Sequence, residues 1–342
     1  MSEEVLRRQL DLGGPLSPVL IPLVLGLRRK MLLRAGAVSI ERRLAGIRTH
    51  WYYVPGRPGS DPELPLVLIH GIADSALTWA FTMRGLARIG PVYALDLPGF
   101  GLSGFPPGRR YTTIAEHTQV IAALLREEIG RPALLVGNSM GGWISLRLAQ
   151  TQPALVRGLV LLDPGGALLN GRDSWQPFVE VVTAPDLGAV RRIYRQMYGR
   201  VPLPLYFSQR SFQSLFLRDP VQQFVATASE DDFFTAGELR QIRVPVGLVW
   251  GDRDRFLPHG SFEFFRDNLP GADVLVIRRC GHLPQYERPR AVVHFVRRFA
   301  QRLRAPAQAL PQAGPGETLR TPPGVDGMGG LRLPEPSPRA GS

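Results

Sequence analysis

The stretch Ala133-Leu134-Leu135-Val136-Gly137-Asn138-Ser139-Met140-Gly141-Gly142 decides the fold of this chain. Four apolar residues predict a buried strand, and the Gly-x-Ser-x-Gly behind them predicts a sharp turn into a helix. Such a turn forces Ser139 into a strained backbone conformation, and Gly137 and Gly141 keep bulky side chains from blocking it. The serine hydroxyl then stands at the carboxyl edge of a sheet. A helix opening at Met140 has a free N–H there, able to donate to a developing oxyanion. The five-residue motif recurs by chance, so its weight comes from the strand before it, the helix after it and its partners downstream.

Outward from that turn, short apolar runs alternate with helical patterns, the signature of a sheet with parallel crossovers. Residues 66–69, 92–95, 159–162, 246–250 and 274–277 read as further strands, and residues 51–54 as an early edge strand. The run Leu66-Val67-Leu68-Ile69 is apolar throughout, as in a strand covered on both faces. Residues 113–129 place Ile114, Ile121, Leu124 and Leu125 on one helical face and stop at Gly130-Arg131-Pro132. Residues 140–150 and 290–302 read as two more helices.

The alternation breaks at residues 165–239, where aromatic residues recur at helical spacing: Tyr194 with Tyr198 and Phe212 with Phe216 are pairs four apart. Trp175, Phe178, Tyr206, Phe207, Phe224, Phe233 and Phe234 share the segment. A helical insertion there would lie over the carboxyl edge of the sheet, exclude water and supply an apolar pocket.

Composition narrows the field. At 342 residues and 44% hydrophobic, the chain can bury one large core or two modest ones. Cys280 is the sole cysteine, so no intrachain disulfide forms and a reducing, cytoplasmic setting is expected. The formal charge of +12 does not gather in a patch: among 41 basic residues only Lys30 is a lysine, and the arginines are spread throughout. Without zinc-finger spacing, recognition-helix pattern or aromatic RNA platform, no nucleic-acid partner is expected.

Membrane contact is a narrower question. No run approaches the ~20 apolar residues of a spanning helix. The longest, from Val19 to Leu27, contains Pro22 and Gly26 and lies between an acidic start (Glu3, Glu4, Asp11) and Arg28-Arg29-Lys30. That order is wrong for a secretory signal. The segment from Val19 to Lys30 suits a helix packed on the domain, or one resting peripherally on an anionic bilayer surface. Residues 305–342 hold 8 prolines and 7 glycines, a low-complexity composition to which no chemistry is assigned.

Over roughly residues 40–303 the chain resembles an α/β-hydrolase with a helical cap. Four stretches carry the resemblance: His70-Gly71-Ile72, Asp96-Leu97-Pro98-Gly99-Phe100-Gly101-Leu102-Ser103, the Gly137–Gly142 turn, and Gly251 to Pro258 with Gly281-His282. It implies a mostly parallel sheet flanked by helices and divided as an N-terminal segment (1–39), core (40–164), cap (165–239), core (240–304) and tail (305–342). It also implies a triad in the order nucleophile, acid, histidine. Ser139 is then the nucleophile and His282 its base. Gly251, Asp254 and Pro258 match the family's acid pattern, which makes Asp254 the orienting acid, with Asp163 and Asp252 as competing carboxylates.

Backbone N–H groups of Ile72 and Met140 are the expected oxyanion hole. His70 reads as a structural hydrogen-bonder, the Asp96–Ser103 loop as framework, and Trp79 and Trp143 as pocket-lining or core residues. His50, His117 and His294 read as structural or surface groups, His259 as a helix-start residue and Cys280 as a buried small hydrophobe. No metal-ligand spacing or phosphate loop is present, so no cofactor is expected.

These residues point to a serine hydrolase that cleaves a carboxylic ester through an acyl-enzyme, with an apolar small-molecule ester or acyl compound as its substrate. Two alternatives accompany that expectation. Gly-Asn-Ser-Met-Gly-Gly with a similar cap also marks carbon–carbon bond hydrolases of dienoic ring-fission products, which would want an arginine in the pocket. A non-catalytic scaffold of the same fold is the other, although no triad member is missing. Serine at 139 speaks against epoxide hydrolases and haloalkane dehalogenases, which need aspartate there.

Overall fold

The computed structural model describes residues 17–34, 36–183, 187–202, 205 and 209–303. Tyr206, Phe207 and the proline- and glycine-rich tail lie outside them.

Leu66 and Leu68 pack into one hydrophobic cluster, Val67 and Ile69 into the other, because successive strand residues face opposite sides of a sheet. The same alternation sends Leu134 and Val136 one way and Ala133 and Leu135 the other. All eight are fully buried. Two cores therefore sandwich a sheet covered by helices, as the continuous apolar runs require.

The sheet begins with a hairpin of β1 (Val38–Leu44) and β2 (Ile47–Val54), joined by Ala45-Gly46 with φ of 47° and 79°. Positive φ at both turn positions is the type I′ geometry that suits strand twist. β3 (Leu66–Ile69), β4 (Val92–Asp96), β5 (Ala133–Asn138), β6 (Val156–Leu162), β7 (Val246–Gly251) and β8 (Asp273–Ile277) complete it. The order is β1-β2-β4-β3-β5-β6-β7-β8; β2 pairs antiparallel with β1 and β4, and all other pairs are parallel. The expectation of an edge strand at residues 51–54 is corrected: β1 covers that side. Its own sequence, Val-Ser-Ile-Glu-Arg-Arg-Leu, is mostly exposed and so carries little apolar signal.

Nine helices of eight residues or more are described: α1 (Ser17–Arg34), α2 (Ile114–Ala123), α3 (Met140–Thr151), α4 (Gln176–Thr183), α5 (Leu187–Met197), α6 (Gln209–Phe216), α7 (Asp219–Thr227), α8 (Ser261–Asn268) and α9 (Pro289–Arg302). Among the described residues, no helix is long and apolar enough to cross a membrane. The helical insertion between β6 and β7 contains α4 to α7. The single helix expected over 113–129 instead ends as α-helix at Ala123, widens into a π-type turn over Leu124–Ile129 and stops at Gly130 with φ of 72°.

A capping box starts α2. Thr113 Oγ1 accepts from Glu116 N at 3.3 Å, and Glu116 Oε2 accepts from Thr113 N at 3.0 Å. Thr113→Ala removes one half of this exchange and is expected to lower stability by about 1 kcal/mol. Urea denaturation should show a lower midpoint with an unchanged slope.

Candidate active site

Ser139 has φ of 55° and ψ of −121°, a strained conformation for a residue with a Cβ. The turn is held from three sides. Its N–H donates to Leu162 O at 3.0 Å, and its carbonyl accepts from Gly142 N, Trp143 N and Gly165 N at 2.9, 3.1 and 3.0 Å. A Cβ at Gly141 would stand 2.2 Å from Ile69 O, and one at Gly137 would stand 2.4 Å from Gly141 O. Only glycine fits either position.

Because β3 and β5 to β8 run parallel, their carboxyl ends meet at one edge, and every nominated residue follows one of them. Behind β7, Asp254 Oδ2 accepts from His282 Nδ1 at 2.7 Å. Asp254 Oδ1 accepts from Phe256 N at 2.8 Å, which fixes the carboxylate. The His282 and Asp254 side chains are 1% and 0% exposed. His282 Nε2 has no hydrogen-bond partner among the described residues, and it lines the same cavity as Ser139. A carboxylate can only accept, so Nδ1 carries the proton and Nε2 presents a lone pair to that cavity.

The loop bearing His282 is tied to both core and cap. Asn138 Nδ2 donates to His282 O and to Leu162 O, each at 3.0 Å. Gln285 Nε2 in turn donates to Asn138 Oδ1 at 3.0 Å. From the insertion, Met197 O at the end of α5 accepts from His282 N at 2.7 Å. Glu287 accepts from Gly281 N and from Gly199 N at 2.8 and 3.0 Å. Asn138, Gln285 and Glu287 were not among the residues nominated from sequence. Only a polar residue inside an otherwise apolar strand end, Asn138, offered a signal.

The Ile72 and Met140 N–H groups donate to no atom among the described residues. Met140 is the first residue of α3, where helix geometry leaves its N–H free. A Cβ at Gly71 would stand 3.0 Å from the Ser139 Cβ, so the loop after β3 passes directly against the Ser139 turn. His70 is framework: its Nδ1 donates to Gly71 O at 2.7 Å, and its Nε2 accepts from Leu97 N at 3.0 Å. Asp96 anchors its loop by accepting from His50 Nδ1, Ala76 N and Leu102 N at 2.7, 2.7 and 3.0 Å.

The competing groups sit elsewhere or do other work. Asp252 Oδ1 accepts from Cys280 N at 3.2 Å, not from the neighbouring arginines. His259 and His294 are exposed, while His117 is buried, which together with nearby His70 holds its pKa down to about 3. Trp79 is entirely core, whereas Trp143 lines a pocket beside Ser139. Burial pushes the Cys280 thiol well above its ordinary range.

Asp163 is the exception. It is fully buried behind β6 with φ of 41°, and its Oδ1 accepts from Gly251 N at 2.9 Å while Oδ2 has no partner. Donor atoms of Asp163, Asp254 and His282 all lie within 4.8 Å of one another. Of these three, His282 Nδ1 donates to Asp254 Oδ2, and each aspartate accepts from a backbone N–H. Burial first, and the neighbouring Asp254 charge second, raise the Asp163 pKa well above the carboxylate range.

A cavity of about 320 Å³ opens in front of Ser139 and His282. Leu25, Ile72, Phe212, Leu215, Phe216 and Phe256 give it an apolar wall, and Arg28, Arg29 and Arg218 also line it. Helix α1 thus forms one side of the cavity through Val24, Leu25 and Gly26, a place its sequence did not suggest. Leu23 and Leu27 point outward, 63% and 57% exposed.

The raised Asp163 pKa has a definite sign in stability. Above the ordinary carboxyl pKa of about 4 the unfolded chain ionises at this position while the folded chain resists, so wild type loses stability as pH rises. Asp163→Asn is expected to match wild type near pH ~3.5 and to be the more stable protein at neutral pH. Urea denaturation of both across that range checks this; a wild type more stable at neutral pH contradicts it.

Comparison with known proteins places this geometry. Residues 66–295 match the model of the alpha/beta hydrolase family. The chain is 32% identical over 257 residues to a 2-hydroxy-6-oxononadienedioate/2-hydroxy-6-oxononatrienedioate hydrolase of Burkholderia vietnamiensis, covering 68% of this chain and 87% of that one. It is 27% identical over 236 residues to Lipase 1 of Psychrobacter immobilis, covering 65% and 72%. The crystal structure of a bacterial membrane phospholipase A superposes with a TM-score of 0.69 at 26% identity, covering 84% of this chain and 93% of that one. The eight-stranded sheet, its helical insertion and the extent of these matches lead to one conclusion: the chain belongs to the alpha/beta hydrolase family.

Proposed function

We propose that this protein hydrolyses carboxylic esters, with Ser139 as nucleophile, His282 as general base and acid, and Asp254 as the group that orients the histidine. One observation carries the reading: His282 donates through Nδ1 to a buried carboxylate and leaves Nε2 open on the cavity that holds strained Ser139. Nε2 takes the Ser139 proton as Oγ attacks the carbonyl carbon. The Ile72 and Met140 amides receive the oxyanion. The intermediate collapses with loss of the alcohol, which takes the proton from His282. Water then attacks the acyl-enzyme, again through His282, and releases the acid. The apolar cavity wall and the sequence likeness to Lipase 1 support an apolar ester as substrate.

A second reading is favoured by the three arginines on the cavity. Arg29 has a buried Nε without a partner, and burial lowers the Arg218 pKa, as does nearby Arg110. A cation there suits the carboxylate of a ring-fission dienoate, and the Burkholderia relative is named for hydrolysis of an oxononadienedioate. The cleaved bond would then be carbon–carbon, at the same serine.

Ser139→Ala is expected to lower kcat on 4-nitrophenyl esters by about 10⁵- to 10⁶-fold, and Asp254→Asn by about 10⁴-fold, with the fold retained. Unchanged turnover by Ser139→Ala refutes the nucleophile. Faster cleavage of a ring-fission dienoate than of any ester selects the second reading.

A further inference from the structure

Ser139 and Ile72 border two cavities, not one. The second is small, about 40 Å³, and is boxed by Trp143, Trp175, Phe178, Phe224 and Phe233. Ser139 contributes its one hydroxyl-bearing side chain. The two indole N–H groups are turned away: Trp143 Nε1 donates to Asp232 O at 2.6 Å, and Trp175 Nε1 donates to Ala167 O at 2.8 Å. What remains facing the pocket is hydrocarbon.

The rings of the box also pack on one another. Phe233 lies 4.5 Å from Trp143 and 5.2 Å from Trp175 between ring centroids, and Trp143 lies 5.9 Å from Phe224. Rings locked against one another cannot make room for a longer chain without losing those contacts. At roughly 10–15 Å³ for the space that holds one water, the small pocket takes about three or four water-sized groups and the large cavity about 20 to 30.

His282 decides which part of an ester goes where. It lines the large cavity and not the small pocket. The departing oxygen must receive its proton from His282 Nε2, so the leaving group belongs on the histidine side. The acyl group then turns to the other side of Ser139, beside Ile72 and Met140, whose backbone amides face the carbonyl oxygen.

Resting on the ester-hydrolase reading above, we propose that the enzyme is selective for short acyl groups, up to about four or five carbons, on a large apolar alcohol. In acylation the Ser139 Oγ–carbonyl bond forms and the carbonyl–alkoxy bond breaks. The serine proton passes through His282 to the large alcohol. In deacylation a water–carbonyl bond replaces the serine ester, and the released acid is small enough to leave the aromatic box.

Two ester series test this on the full chain. With 4-nitrophenol as the fixed leaving group, kcat/KM should fall at least tenfold from butanoate to octanoate. With butanoate fixed, it should rise as the alcohol lengthens from ethanol to decanol. Ala228 and Val225 line the small pocket from α7 and its C-terminal end. Ala228→Leu should lower kcat/KM at least ten times more for butanoate than for acetate, and Val225→Ala should move the cut to a longer acyl chain.

A wild type that prefers octanoate, or an unchanged butanoate-to-acetate ratio in folded Ala228→Leu, overturns the selectivity. Labelling by a fluorophosphonate separates the two levels. Ser139 labelled in an enzyme that prefers long acyl chains leaves the hydrolase reading standing without the selectivity. No label and no turnover of any ester overturn both.

Discussion

Main chain packed against main chain, where the Ser139 turn meets the end of β3, is the constraint on which the site depends. Gly141 lies against the Ile69 carbonyl with no space for a side chain, and Gly137 lies equally close to Gly141. This contact brings the start of α3 beside the loop after β3. The Met140 and Ile72 amides, the proposed oxyanion hole, sit on those two adjoining segments. The strain at Ser139 is the cost of that approach, and the three hydrogen bonds to its carbonyl hold it in place.

The second support is the histidine loop, which no single element could hold. Asn138 ties it to β5, while Met197 and Glu287 tie it to the helical insertion. His282 is therefore held by the helical insertion as well as by the core. Behind the loop, Asp163 places a second carboxyl beside Asp254. The raised Asp163 pKa works against two adjacent buried anions.

Much of this was readable from residue order. Parallel strands buried on both faces have unbroken apolar runs, and the runs at 66–69 and 133–136 fall inside β3 and β5. Ser139, Asp254, His282, Ile72 and Met140 follow strand ends, and the parallel topology brings them to one edge. What sequence could not supply depends on tertiary contact. β1 is too exposed to have an apolar signature, and the wall formed by α1 is a matter of docking. Asn138 acts through a backbone 144 positions away. Among 40-odd basic residues, only the folded chain shows that Arg28, Arg29 and Arg218 reach the cavity. The split of the site into a large and a small compartment likewise depends on how Trp143 packs against cap residues that are distant in sequence.

The central claim is that acyl transfer passes through the hydroxyl of Ser139. Rapid acid quenching of the enzyme with 4-nitrophenyl butanoate, followed by peptide mass spectrometry, tests it most directly. The account predicts a butanoyl mass increment on the peptide containing Ser139, formed at the rate of the first burst of 4-nitrophenol. A burst with no acylated peptide, or with the acyl group on another residue, would contradict it.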